Sequence, residues 1–145
     1  MGITGLVLVA AVAGIAVALQ GQFMGIMESK LGVWESVFFT YGLGGLVIAL
    51  IMLVRGGNFA ELRSVPPYAF TAGLLGLVIV GSITYVVPRL GLIAGFAVIL
   101  LAQYALAAAI DQFGLFGATI RPVEVGRLVG LLVMGVGVWL VVRSA

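Results

Sequence analysis

The sequence has no cysteine and no histidine. Disulfides, thiolate nucleophiles, Cys/His metal sites and imidazole acid–base chemistry are therefore excluded. Charge is scarce as well: 145 residues carry seven Lys and Arg and five Asp and Glu, while 63% are hydrophobic. A soluble globule needs more polar surface than this to face water. The net charge of +2 comes from scattered residues that form no basic run or patch, so nucleic acid is not an expected partner. These charges read as membrane-boundary residues. A phosphate loop, a nucleotide fingerprint and a metal-ligand cluster are all missing, and no cofactor is expected. With no Ser/His or Cys/His pair and no paired intramembrane aspartates, an enzyme is a poor reading.

What is present is a series of long apolar runs. A hydrocarbon core of about 30 Å takes about 20 residues of helix, so charges mark the span ends. Met1 to Met27, Ser36 to Val54, Ser64 to Pro88 and Leu90 to Ile110 are four such runs, closed by Glu28, Arg55, Arg89 and Asp111. Met1 to Ala18 lacks the positive start of a signal peptide and is expected to be a permanent helix. A fifth span has only Leu128 to Val142 free of charge, about 22 Å of helix. Arg127 is expected to extend it by snorkelling, with Glu124 one turn earlier as its intrahelical partner. Expected spans are about 3–27, 34–54, 67–87, 90–110 and 124–142, in one transmembrane domain covering 1–145.

The runs are continuously apolar and do not alternate, which favours helices over a β-barrel. The fold class is all-α integral membrane, a five-transmembrane-helix bundle. Gly56, Gly57 and Asn58 with Pro66 and Pro67 mark a turn-rich second connection, and Pro88 is expected to make the third a tight hairpin.

Five spans place Arg55, Arg63, Arg121 and Arg127 on one side and Lys30, Arg89 and Arg143 on the other. Four against three is a weak positive-inside bias. The expectation is a chain that inserts both ways and pairs antiparallel with itself, or with an oppositely oriented partner chain; a weakly biased single orientation is the other reading. Lipid tails are as apolar as leucine, so helices associate in a bilayer through small residues. Gly126, Gly130 and Gly137 share one face of the last helix and are its packing candidates, with Gly135 roughly opposite.

Polar residues inside the spans are few, and at membrane depth they either find partners or line a wet pathway. Gln20, Gln22, Tyr41, Tyr85, Gln103 and Tyr104 are the pathway candidates; interhelical hydrogen bonding is the bland reading for each. Glu35, Asp111 and Arg121 are coupling or gating candidates. Glu35 is more readily accounted for as a carboxylate favoured at a helix N-terminus. Arg121 is placed to pair with Asp111 across the run Gln112, Phe113, Gly114, Leu115, Phe116, Gly117.

Gly73-Leu-Leu-Gly76 leading to Tyr85 and Val87-Pro88-Arg-Leu-Gly91, then Gln103, Asp111-Gln-Phe-Gly-Leu-Phe-Gly117, and Arg127 with Gly130 and Gly137, together resemble the YdcZ-type inner-membrane exporters, small five-helix members of the drug/metabolite transporter superfamily. Gln20 and Leu31-Gly32 resemble the family's first-helix pattern, with no asparagine between them. The resemblance implies two five-helix chains assembled antiparallel as a ten-helix inverted repeat in the inner membrane. The function expected is small-solute transport, of exporter type, by alternating access at the antiparallel dimer interface, with a small-molecule substrate and membrane lipid as further partners. The alternative is a non-transporting membrane assembly or accessory subunit.

Overall fold

The computed structural model of the chain describes residues 2–145. Five α-helices follow one another: α1 Ile3–Leu31, α2 Val33–Arg55, α3 Ala72–Leu90, α4 Leu92–Phe113 and α5 Val125–Arg143. Short 3-10 turns lie at Leu62–Ser64, Pro67–Thr71 and Leu115–Gly117, and there is no strand among the described residues. With Pro67–Thr71 running into α3, all five helices are long and apolar enough to cross a membrane. At 1.5 Å per residue the 29 residues of α1 reach about 43 Å. That exceeds a hydrocarbon core of about 30 Å, so α1 either tilts or projects.

Two helix junctions are tighter than the charge pattern predicts. The first connection, expected to run from Glu28 to Trp34, consists of Gly32 alone, at φ 101° and ψ 171°. Gly91, at φ 79° and ψ 163°, is likewise the single residue between α3 and α4. This region of backbone space is open essentially to glycine only. Lys30-Leu31 before Gly32 and Arg89-Leu90 before Gly91 continue as helix, because both are good helix formers. Pro88 lies inside α3 and is not the break. Proline there gives up one backbone donor near the helix end, and its ring packs 3.5 Å from the position a Gly25 Cβ would occupy. A methyl group at residue 25 would rest in ordinary contact with that ring.

The contacts of the chain gather into two compact units, Met1–Pro88 and Arg89–Ala145. In the first, α1 and α2 form an antiparallel hairpin about Gly32. Its core is Met24 of α1, Val37 of α2 and Val80 of α3, with Met27 and Val33 packed against them. Two hydroxyl residues are fully buried there, Ser36 and Thr84, each at 0% exposure. The Ser36 hydroxyl donates across the hairpin to the Met24 carbonyl at 3.2 Å, and Thr40 donates to the Ser36 carbonyl at 2.8 Å. Thr84 donates to the Val80 carbonyl at 2.8 Å and lies 3.8 Å from the Met24 sulfur. Among the described residues no buried side-chain polar atom lacks a partner. Tyr41 sets its hydroxyl against Gly76 of α3, at a place where any side chain on residue 76 would collide with it.

In the second unit α4 and α5 also run antiparallel. Leu131, Met134, Gly135, Val138 and Val141 are the half-buried residues of α5, spaced three and four apart as one face of a helix requires. Gly126, Gly130 and Gly137 fall outside this face. All three are exposed, and a Cβ added at any of them would meet nothing within 4 Å.

Gly32→Ala is expected to destabilise the chain by about 1–3 kcal/mol through its backbone conformation, whereas Gly126→Ala, in open space on α5, leaves stability unchanged or raises it by up to about 1 kcal/mol. Ser36→Ala, which removes one interhelical hydrogen bond, should cost about 0.6 kcal/mol. Unfolding equilibria of the three variants in bilayer discs, measured against the parent, check all three.

Candidate functional site

The pathway candidates do not converge on one place. Gln20 lines a groove of about 700 Å³ between α1 and α2, beside Phe23, Thr40 and Gly44. The groove is almost wholly apolar, and Thr40 already spends its hydroxyl on the Ser36 carbonyl. Tyr85 lines a different groove of the same unit, about 580 Å³, with Trp34, Ser82 and Leu77. Tyr41 is occupied with Gly76 as described. Gln22 and Gln103 are exposed on α1 and α4. Of the six, Tyr104 alone shares a pocket with charged side chains.

That pocket, about 300 Å³, lies between α4 and α5. Tyr104, Ala108 and Asp111 reach it from α4, at spacings of four and three that hold them on one helix face. Arg127, Gly130, Leu131 and Met134 reach it from α5 with the same periodicity. From Tyr104 to Asp111 it runs about 10 Å along α4. Small residues create the space, because Gly130 leaves open what a side chain would fill and Ala108 adds only a methyl group.

The charged end is held by the chain that joins the two helices. Gly114 closes α4 in the left-handed conformation, with its N–H donating to the Ile110 carbonyl. Phe116 is also left-handed at φ 56°, an unusual state for a residue with a side chain. The returning segment is then tied twice: the Arg121 N–H donates to the Asp111 carbonyl at 2.9 Å, and the Val123 N–H donates to the Gln112 side-chain oxygen at 2.7 Å. Phe113 and Phe116 are left exposed, as suits a segment at the membrane interface.

The ion pair differs from the one the sequence points to. Asp111 faces Arg127, with Oδ2 3.9 Å from a guanidinium nitrogen, and Arg121 contributes its backbone to Asp111. Arg127 thus turns toward α4 and its charge is met there, which makes residue 127 part of the helix wall and part of the pocket at once. Glu124 serves α5 through its carbonyl, which accepts from the Arg127 and Leu128 N–H groups. Sequence spacing favours Glu124 because it is one turn away. Only the return of the chain at Gly114 brings Asp111, sixteen positions earlier in the numbering of this sequence, to Arg127. Glu35 sits apart from this pocket, in the first turn of α2. Its carboxylate folds over the Gly32 junction, 3.0 Å from where a Cβ on that glycine would stand. A helix N-terminus favours a carboxylate at this position.

The pair is loose. At 3.9 Å it exceeds the 2.7–2.9 Å of a close charge-assisted hydrogen bond, and the Arg127 and Asp111 side chains are 52% and 42% exposed. Such pairs contribute about 0–1 kcal/mol. Asp111→Asn and Arg127→Gln are therefore each expected to unfold within about 1 kcal/mol of the parent, which a denaturation series in bilayer discs would verify.

No curated protein and no solved structure matches the chain. A family model described as "Putative inner membrane exporter, YdcZ" matches residues 5–140. The match takes in both grooves of the first unit and the α4–α5 pocket, together with nearly all of the five membrane-length helices. By that coverage the chain belongs to the YdcZ family of inner membrane exporters and is a multi-pass inner-membrane protein.

Proposed function

We propose that the chain exports a small solute by alternating access, working as a pair of oppositely oriented copies or with an oppositely oriented homologous chain. The observation that carries the transport reading is the α4–α5 pocket, which combines Tyr104, Asp111 and Arg127 with apolar walls. Polar and charged groups within membrane-spanning helices are costly, and their usual role is in a pathway. Family membership supports export.

The pairing rests on three features. The basic residues divide four to three between the two sides of a five-span chain, too evenly to enforce one orientation. An odd number of spans lets two opposed halves be fused without an extra helix, and in such inverted repeats sites lie between halves that rock about them. A single chain also leaves much of its helix surface uncovered, including Gly126 and Gly137 on one face of α5. Small residues permit close approach of a second helix. Tyr104 would be the polar contribution of each copy, with Asp111 as the gating group.

The same uncovered glycine face favours a second reading, an accessory subunit that docks through α5 on a larger partner without transporting anything itself. Topology separates the two. The chain has no cysteine, so a single cysteine added at the C-terminus reports its side without background. Comparable labelling by an impermeant reagent in intact cells and in inverted vesicles is expected, with cross-links between opposite ends of two copies. Labelling from one side, with no oppositely oriented homologue co-purifying, would remove the antiparallel mechanism and favour the accessory role.

A further inference from the structure

We infer that the α4–α5 pocket takes a small zwitterion, a solute with an ammonium and a carboxylate on one end and an apolar body, whose two charges replace the Asp111–Arg127 contact. The inference deepens the exporter reading and rests on it for the word substrate, though not for binding.

Charge decides the class. The pocket contains one carboxylate and one guanidinium, so it is neutral as a pair. A net cation on Asp111 would leave Arg127 without its counter-charge, and a net anion on Arg127 would do the same to Asp111. Either would hold one charge of the pair and leave the other unmatched within the same pocket. A neutral apolar solute would leave the pair in place and gain nothing from it. A zwitterion alone satisfies both groups at once, its carboxylate on Arg127 and its ammonium on Asp111. The two side chains are already 3.9 Å apart and half exposed, so little contact is given up on entry. Arginine suits the carboxylate end because its planar fork can hold both oxygens.

Size and lining set the rest. About 300 Å³ is at the low end of ligand pockets, which admits a molecule the size of an amino acid and excludes large dyes. Ala107, Ala108, Leu131 and Met134 offer apolar walls beyond the charged end, and a methionine adapts to side chains of different shape. Tyr104 stands two turns from Asp111 on the same face of α4 and lines the far end of the pocket.

The test is binding of isotope-labelled alanine, leucine and methionine to the full chain in bilayer discs. Binding is expected for at least one of them. For the amino acid that binds, the amide that lacks the carboxylate and the acid that lacks the ammonium should each compete at least tenfold more weakly than the parent compound. Asp111→Asn and Arg127→Gln should each weaken binding at least tenfold, and the exchanged pair Asp111→Arg with Arg127→Asp should recover part of the loss. Gly130→Leu, which meets nothing within 4 Å at its Cβ but fills the pocket, should abolish binding with the melting temperature no lower than the parent's.

A phosphatidylethanolamine headgroup carries the same two charges. Discs with and without that lipid tell the sources apart: amino acid binding that persists in its presence assigns a free solute, and binding it suppresses with the same dependence on Asp111 and Arg127 assigns the headgroup. The inference is overturned if none of the three amino acids binds, if the amide or the acid competes as well as the zwitterion, or if both single-charge variants bind like the parent. Flux distinguishes this from failure of the exporter reading. Charge-dependent binding without movement across the membrane would end the exporter reading and leave the zwitterion site standing. Export of a net cation that is indifferent to Arg127→Gln would do the reverse.

Discussion

In the interior of a bilayer there is no water to hydrogen-bond a backbone group, so every N–H and C=O must find its partner within the protein. The whole structure is organised by that requirement. It makes each apolar run a helix, and it places the ends of the helices where polar solvent or a specific side chain can receive the leftover groups. At Gly32 and Gly91 the interruption is reduced to one residue, so few groups are released: the Gly32 N–H still reaches the Glu28 carbonyl, and its own carbonyl already accepts from Ser36. A longer loop at either place would free more backbone and need water to satisfy it.

The same medium removes the usual reason for a large core. Apolar side chains gain no hydrophobic free energy by leaving lipid for protein, and what remains is close packing and hydrogen bonding. The buried set is correspondingly small: Met24, Val37, Val80, Ile83, Val87 and Ala94 are its hydrophobic members, while residues such as Leu53, Ile93 and Leu132 stay largely exposed. Ser36 and Thr84 sit at the centre of the first unit because hydroxyls that bond to a carbonyl cost little there: Ser36 ties α2 to the Met24 carbonyl of α1, and Thr84 satisfies itself on Val80 of its own helix. Exposed leucine on such a molecule signals lipid or a second helix, and says little about which.

Against this background the α4–α5 pocket stands out through chemistry and not through size. The α1–α2 groove is more than twice as large, yet its lining is almost entirely apolar and its one hydroxyl is already bonded. Grooves of that kind are filled readily by acyl chains or by a neighbouring helix. The smaller pocket joins opposite charges, a phenol and a run of small side chains, and the segment after Gly114 fixes its charged end through Gln112 and the Asp111 carbonyl. That is the combination needed to discriminate among solutes by charge and length.

Composition and the positions of charged residues were enough to establish an all-helical membrane protein with five spans, because burying charge in hydrocarbon is so unfavourable that the free runs can be little else. Family resemblance was also legible, through Gln103, the Asp111 to Gly117 run and Arg127. Junction geometry was not, since Pro88 and Gly91 are both strong punctuators and only backbone conformation tells which one breaks the helix. The partner of Arg127 was hidden for a related reason. Spacing along one helix brings Glu124 close, but a side-chain contact depends on where the chain returns, and the left-handed turns at Gly114 and Phe116 bring Asp111 instead. Gln20, Tyr85 and Tyr104 are alike as polar residues in apolar runs, and tertiary packing alone distributes them among three different cavities. Hydrophobicity is a property of each residue and survives in a linear string; a binding site is a property of distances between helices, and those exist only once the helices have packed.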